Sequence, residues 1–168
     1  MMMNRRDVIL GLAACSASIL VMRAAGGLAA SETFEITLTP EEWRKKLTPA
    51  QYGVLREHDT ERPFTSPLDK EKRAGIFACA GCDLPLFASE TKYDSGTGWP
   101  SFWRPLDNAV GTKEDRTFIF MLRTEVHCRR CGGHLGHVFP DGPPPTGQRY
   151  CINGMALNFV PLAAQKPS

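Results

Sequence analysis

Net charge, internal repetition and long apolar runs are all nearly missing from these 168 residues. The chain has 20 Lys and Arg against 18 Asp and Glu, and residues 1–30 hold Arg5, Arg6, Arg23 and Asp7, which leaves 17 of each sign in the remainder. A balance of that kind argues against a nucleic-acid or anionic-membrane surface, since both require a basic excess. The longest apolar stretch, Val8 to Met22, is 15 residues broken by Gly11, Cys15 and two serines, whereas a membrane span needs about 20. No repeat marks a solenoid or propeller. Apart from Gly142-Pro143-Pro144-Pro145, which stiffens one loop, no low-complexity tract occurs. With 15 Gly and 13 Pro, the composition leaves little room for long helices and favours short strands and turns around one core.

The first thirty residues read as an address. Asn4-Arg5-Arg6-Asp7 stands directly before the apolar run, and small residues lead on to Ala29-Ala30, a pattern that resembles a twin-arginine export signal. Cleavage near Ala30 would leave residues 31–168 as one domain in the periplasm. Two alternatives stay open. Leu12-Ala13-Ala14-Cys15 resembles a lipobox, which would make Cys15 a lipid anchor, and the segment could instead be retained as an anchor.

Beyond residue 31, two short helices are predicted from paired capping devices. Thr39-Pro40-Glu41-Glu42 and Thr48-Pro49-Ala50-Gln51 each supply a capping threonine, a proline at the first helical position and an acid or amide at the box position. Trp43 with Leu47, and Tyr52 with Leu55, give each helix an apolar face for a sheet. Strands are predicted at Ile76–Cys79, Leu84–Phe87, Val110–Thr112, Thr117–Leu122, Val138–Phe139, Arg149–Asn153 and Ala156–Val160, with Asn153-Gly154 as a turn between the last two. The near-continuous apolar run Thr117–Leu122 reads as a central strand. Arg62 to Leu68 reads as a solvated, irregular connection.

Four cysteines form two Cys-x-x-Cys knuckles, Cys79-Ala80-Gly81-Cys82 and Cys128-Arg129-Arg130-Cys131, with 45 residues between them. Each knuckle can set two thiolates on one side of a tight turn, and two knuckles complete a tetrahedral sulfur site for one Zn2+. Disulfides, favoured by an oxidising exported location, and a redox-active pair are the competing readings. Cys151 then stands alone. It shares a strand face with Arg149 and Asn153, and a neighbouring cation favours the thiolate. A packed, inert thiol is the plainer alternative.

Two more stretches stand out. Gly132-Gly133-His134-Leu135-Gly136-His137 places two imidazoles three residues apart in what reads as a glycine-rich loop. They are either spare metal ligands and solvated loop histidines, or a pair that holds a water and delivers a proton. Trp99, Phe102 and Trp103 crowd a second loop, either as core or as the wall of a cup for a small apolar group.

Taken together, the knuckles, Ser95-Gly96-Thr97-Gly98-Trp99-Pro100-Ser101-Phe102, Cys131-Gly132-Gly133-His134-Leu135-Gly136-His137-Val138-Phe139 and Arg149-Tyr150-Cys151-Ile152-Asn153 resemble the type B methionine sulfoxide reductases over residues 37–161. The resemblance implies a mainly β fold of two antiparallel sheets with short N-terminal helices, a structural zinc held by Cys79, Cys82, Cys128 and Cys131, and reduction of the R epimer of methionine sulfoxide. It implies Cys151 as nucleophile, with His134, His137 and Asn153 around the sulfoxide oxygen and Arg149 supporting the thiolate. Trp99, with Phe102, would wall the substrate methyl group. Its implied partners are proteins or peptides containing methionine sulfoxide and a thioredoxin-like or other thiol reductant. In one place the chain departs from the pattern: Thr97 stands where many relatives carry a resolving cysteine, so regeneration by an external thiol is expected. A zinc-stabilised binding module without catalysis is the alternative function, and would tolerate loss of Cys151.

Overall fold

The computed structural model describes residues 33–118 and 121–163; the expected export segment lies outside them. Helices α1 (Pro40–Lys46) and α2 (Pro49–Glu57) begin where the capping devices predict. Thr39 accepts from the Glu42 backbone while Glu42 returns a bond to the Thr39 N–H, and Thr48 and Gln51 repeat the exchange. Each box satisfies two amides that a helix start leaves without partners. Trp43, Leu47, Tyr52, Val54 and Leu55 are buried, and the Arg56 guanidinium lies 4.1 Å over the Trp43 ring.

Among the described residues nine strands follow: β1 Gly75–Cys79, β2 Pro85–Ala88, β3 Lys92–Tyr93, β4 Ser101–Phe102, β5 Val110–Phe118, β6 Met121–Cys128, β7 His134–Phe139, β8 Arg149–Ile152 and β9 Leu157–Pro161. They form two antiparallel sheets, one ordered β2-β1-β9 and the other β3-β4-β8-β7-β6-β5. The mainly β architecture with short N-terminal helices therefore holds. Aromatic rings join the sheets: Phe87 of β2 stacks on Phe102 of β4 at 4.3 Å, and Phe77 of β1 meets the same ring edge-on at 5.0 Å. Each such pair adds about 0.5–1.5 kcal/mol to the burial of its area.

Three local expectations are corrected. Thr117–Leu122 is not a central strand: residues 119 and 120 lie outside the described residues, Phe118 at the end of β5 pairs with Met121 at the start of β6, β5 is on the sheet edge and Leu122 is exposed. A short apolar run carries no periodicity that separates a hairpin tip from a buried strand. The two histidines lie on a strand, β7, and not in a loop. Asn153-Gly154 does not join a hairpin, because β8 and β9 belong to different sheets and a 3-10 turn at Gly154–Ala156 carries the chain across. The connection after α2 is exposed over residues 62–65, as expected, and is anchored just before that stretch, where Glu61 accepts from the Gly154 and Met155 N–H groups at 2.5 and 3.1 Å.

Candidate active site

Sheet register assembles the site. Directly opposed residues of neighbouring strands share a face, and the pairings Tyr93 with Ser101, Ser101 with Cys151, Cys151 with His137, His137 with Glu125 and Glu125 with Lys113 form one continuous row across all six strands of the larger sheet. Side chains from residues 93 to 151 are thereby set side by side. Beside the row, the consecutive residues Val126 and His127 of β6 pair with Gly136 and His134, so β7 carries one extra residue, Leu135, as a β-bulge. A spacing of three would send His134 and His137 to opposite faces; an extra residue in one strand re-aims a side chain, and the two rings sit 5.4 Å apart. Gly136, at φ 155°, lies so close to β8 that a Cβ there would collide with the Cys151 carbonyl oxygen.

Cys151 opens into a cavity of about 160 Å3 that is also bordered by Trp99, His137, Asn153, Phe139 and Thr60. Trp99 donates its indole N–H to the Glu61 carbonyl at 3.1 Å. The Asn153 carboxamide accepts from the Glu61 N–H at 3.1 Å and donates to the Leu135 carbonyl at 3.2 Å. Residue 61 thus positions two walls of the cavity. Thr97 Oγ1 is 4.0 Å from Cys151 Sγ, the place from which a cysteine could reach it.

Three expected site residues do not line the cavity itself. Phe102 is fully buried, stacked in the core between the sheets, and does not border the cavity, because strand alternation at Ser101-Phe102 turns the ring inward. Arg149 is not among the lining residues either; it binds Asp141 through two bonds of 2.9 and 2.8 Å and lies 4.5 Å over Phe139, yet its charge and a hydrogen bond still act on the Cys151 thiol, in the direction expected of it. His134 is buried behind the cavity, with Nδ1 2.9 Å from Glu125 Oε1.

The protonation states differ from those that Arg149 alone suggests. Burial pushes the Cys151 thiol above its usual range; the Thr97 hydroxyl and the Arg149 charge offset only part of that. Burial likewise lowers His137 despite its bond to Asp115, whose Oδ2 is 2.8 Å from Nε2. With a carboxylate on Nε2, the neutral ring keeps its proton there, which leaves Nδ1 as the basic nitrogen. For Glu125, burial acts upward, but bonds from His134 and from Lys113, 3.1 Å away, prevail and hold it at about 2. Asp115, Glu125 and Glu61 were not singled out from the sequence. For Asp115 and Glu125 the signal is alternation, Lys113 with Asp115 and Arg123 with Glu125, along strands longer than the sequence predicts, whereas Glu61 lies in a connection where no periodicity marks it.

The four knuckle cysteines are all buried and converge. Cys79 and Cys131 sulfurs are 3.8 Å apart, and those of Cys82 and Cys128 are 3.5 Å apart; the edge of a tetrahedron with zinc–sulfur bonds of about 2.3 Å is about 3.8 Å. Hydrogen bonding among the sulfurs holds Cys131 far below the usual thiol range and pushes Cys79 and Cys128 far above it. A divalent cation would let all four ionise. Arg56 braces the cluster, donating to the Cys131 carbonyl at 3.0 Å and to its sulfur at 3.3 Å. This is the structural zinc site. A second convergent group, His58, Glu125 and His134, lies beside the reaction cavity.

The SelR domain family profile matches residues 47–161. Among curated relatives, "Peptide methionine sulfoxide reductase MsrB" of Agrobacterium fabrum is 52% identical over 128 residues, covering 76% of this chain and 95% of that protein. A protein of the same name from Pseudomonas putida is 57% identical over 127 residues, 76% of this chain and 96% of its own length. One from the archaeon Methanosarcina barkeri is 58% identical over 120 residues, 71% and 84% respectively.

Proposed function

This chain belongs to the SelR-domain family of peptide methionine sulfoxide reductases and reduces methionine R-sulfoxide to methionine, and from that premise we propose that Cys151 is the nucleophile. The observation that supports this most strongly is the register of β7 on β8, which sets His137 opposite Cys151 beside the Trp99 indole. Zinc, held by Cys79, Cys82, Cys128 and Cys131, serves the scaffold.

In the proposed reaction the substrate methyl group rests on Trp99 and the sulfoxide oxygen turns toward His137, with His134 and Asn153 near it. Sulfoxide oxygen leaves poorly unless protonated. Cys151 is a thiol and His137 a neutral base in the free protein, so the pair holds the one proton the reaction needs. His137 Nδ1 takes it from the thiol and returns it to the oxygen. Cys151 Sγ bonds to the sulfoxide sulfur as the sulfur–oxygen bond breaks and the protonated oxygen leaves as hydroxide; hydroxide then attacks Sγ, and the sulfur–sulfur bond breaks with its electron pair left on methionine sulfur, giving methionine and a sulfenic acid on Cys151. No net proton is consumed.

Regeneration falls to an external reductant. Thr97 cannot form a disulfide, and every other described cysteine belongs to the zinc set. Two thiols, from a thioredoxin-like protein or a small reductant, reduce the sulfenic acid to thiol and release water. Residues 1–30 we take as a twin-arginine signal that delivers the domain of residues 31–168 to the periplasm, on the strength of Arg5-Arg6 and the apolar run that follows; N-terminal sequencing of the protein recovered from that compartment tests it. For the reaction, the separated R and S sulfoxide epimers of a blocked methionine peptide are assayed with dithiothreitol. Turnover of the R epimer alone, abolished by Cys151→Ser with zinc retained, is expected; full activity in that variant would overturn the assignment.

A further inference from the structure

Behind the reaction cavity, His58 at the end of α2, Glu125 of β6 and His134 of β7 bring one donor atom each into a single cluster. Glu125 Oε1 is 2.9 Å from His134 Nδ1 and 3.4 Å from His58 Nδ1, and the three atoms lie within 4.8 Å of one another. We propose that these residues form a second metal site, for a first-row divalent cation such as Zn2+, and that filling it inhibits the enzyme by withdrawing His134.

The donor set decides the class of ligand. Two imidazole nitrogens with one carboxylate oxygen suit zinc and its neighbours better than calcium or magnesium, which favour oxygen alone. Bonds of about 2.0–2.2 Å to such donors put tetrahedral ligand atoms about 3.3–3.6 Å apart; the His58 separation of 3.4 Å lies in that range, and the 2.9 Å between Glu125 and His134, a hydrogen bond, would have to open by about half an ångström. Two of the ligands are fixed in the sheet and buried; His58 is half-exposed and can adjust. The three border a cavity of about 650 Å3, which leaves room for water at the remaining positions. They are nitrogen and oxygen donors from three different elements, so the site is chemically distinct from the four-sulfur zinc cluster.

Lys113 is the built-in competitor. Its ammonium group lies 3.1 Å from Glu125 Oε2, the carboxylate oxygen that faces away from the imidazole contacts. A cation entering at Oε1 therefore need not displace it, but meets its charge. Only the inhibitory half of the proposal rests on the reading of His134 as part of the reaction; the binding half does not.

The test uses the full chain with its four-sulfur zinc in place and a phosphine in place of a dithiol, since dithiols chelate zinc. Equilibrium dialysis against ZnCl2, read by metal analysis, is expected to give two zinc ions per chain in the unmodified protein and in Cys151→Ser, but one in His58→Ala. Lys113→Gln should bind the second ion about threefold tighter, the scale of one nearby half-exposed charge. Turnover of the unmodified enzyme should fall with the midpoint of that binding, whereas His58→Ala should be insensitive to zinc relative to its own zinc-free rate. A single equivalent in the unmodified protein up to millimolar zinc overturns the site, as does a second equivalent that survives in His58→Ala. Loss of the second equivalent in Cys151→Ser also overturns it, by putting the cation on the reactive sulfur. Binding as predicted with unchanged turnover overturns the inhibitory half and removes His134 from the reaction.

Discussion

Burial dominates the chemistry of Cys151 even with a guanidinium on the same strand: Arg149, itself bound to Asp141, and the Thr97 hydroxyl both pull the thiol down, but by less than burial raises it. A raised thiol pKa means little thiolate at neutral pH, so the sign of its pH dependence is fixed. Alkylation of Cys151 by iodoacetamide should keep accelerating through the ordinary thiol range near about 8.5 and level off only above it. A plateau at or below pH 7 would show a thiolate stabilised in advance. The two aromatic residues expected to wall the substrate separate at this same scale. Trp99→Ala should raise KM for the R-sulfoxide peptide and leave the melting temperature nearly unchanged. Phe102→Ala should cost about 3–5 kcal/mol of stability, as a buried ring lost from a core does, read by denaturant titration of the two variants in parallel.

Among elements, the connection between α2 and the first sheet proves more important than its composition suggests. Glu61 fastens it to Gly154 and Met155, and its backbone holds Asn153 and the Trp99 indole. Glu61→Ala should lower kcat/KM about tenfold or more, since misplacing site groups by an ångström is costly, while zinc content and the Cys151 alkylation rate stay unchanged; unaltered kinetics would refute the positioning role. Local chemistry explains what could be read from the sequence here. The helix starts at Thr39 and Thr48, the Cys-x-x-Cys knuckles and the grouping of Arg149, Cys151 and Asn153 all depend on residues within a few positions of one another. What escaped depends on partners far along the chain. The bulge that turns His134 toward His137, the Asp115 and Glu125 carboxylates behind the histidines and the burial of Phe102 are consequences of cross-strand register, which no local window contains.

Across the whole molecule, the metal and the aromatic stack do the same work at different places. Cys79 ends β1 of the smaller sheet and Cys128 ends β6 of the larger one, so the zinc site ties the two sheets together at the ends of those strands. Structural zinc carries folding free energy directly, about 10–16 kcal/mol in small zinc-dependent folds, comparable to or greater than the whole net stability of about 5–15 kcal/mol of a typical domain. Cys128→Ser should therefore lose its zinc and its cooperative thermal transition together; a zinc-free variant that melts as the unmodified protein does would contradict a structural role. Most directly, the account as a whole is tested by a single turnover without reductant. Reduced protein mixed with excess R-sulfoxide peptide should release one equivalent of methionine peptide per chain and leave a sulfenic acid, trapped by dimedone, on Cys151 alone. Release of no product, or a dimedone adduct or disulfide on a zinc cysteine with Cys151 unmodified, would contradict it.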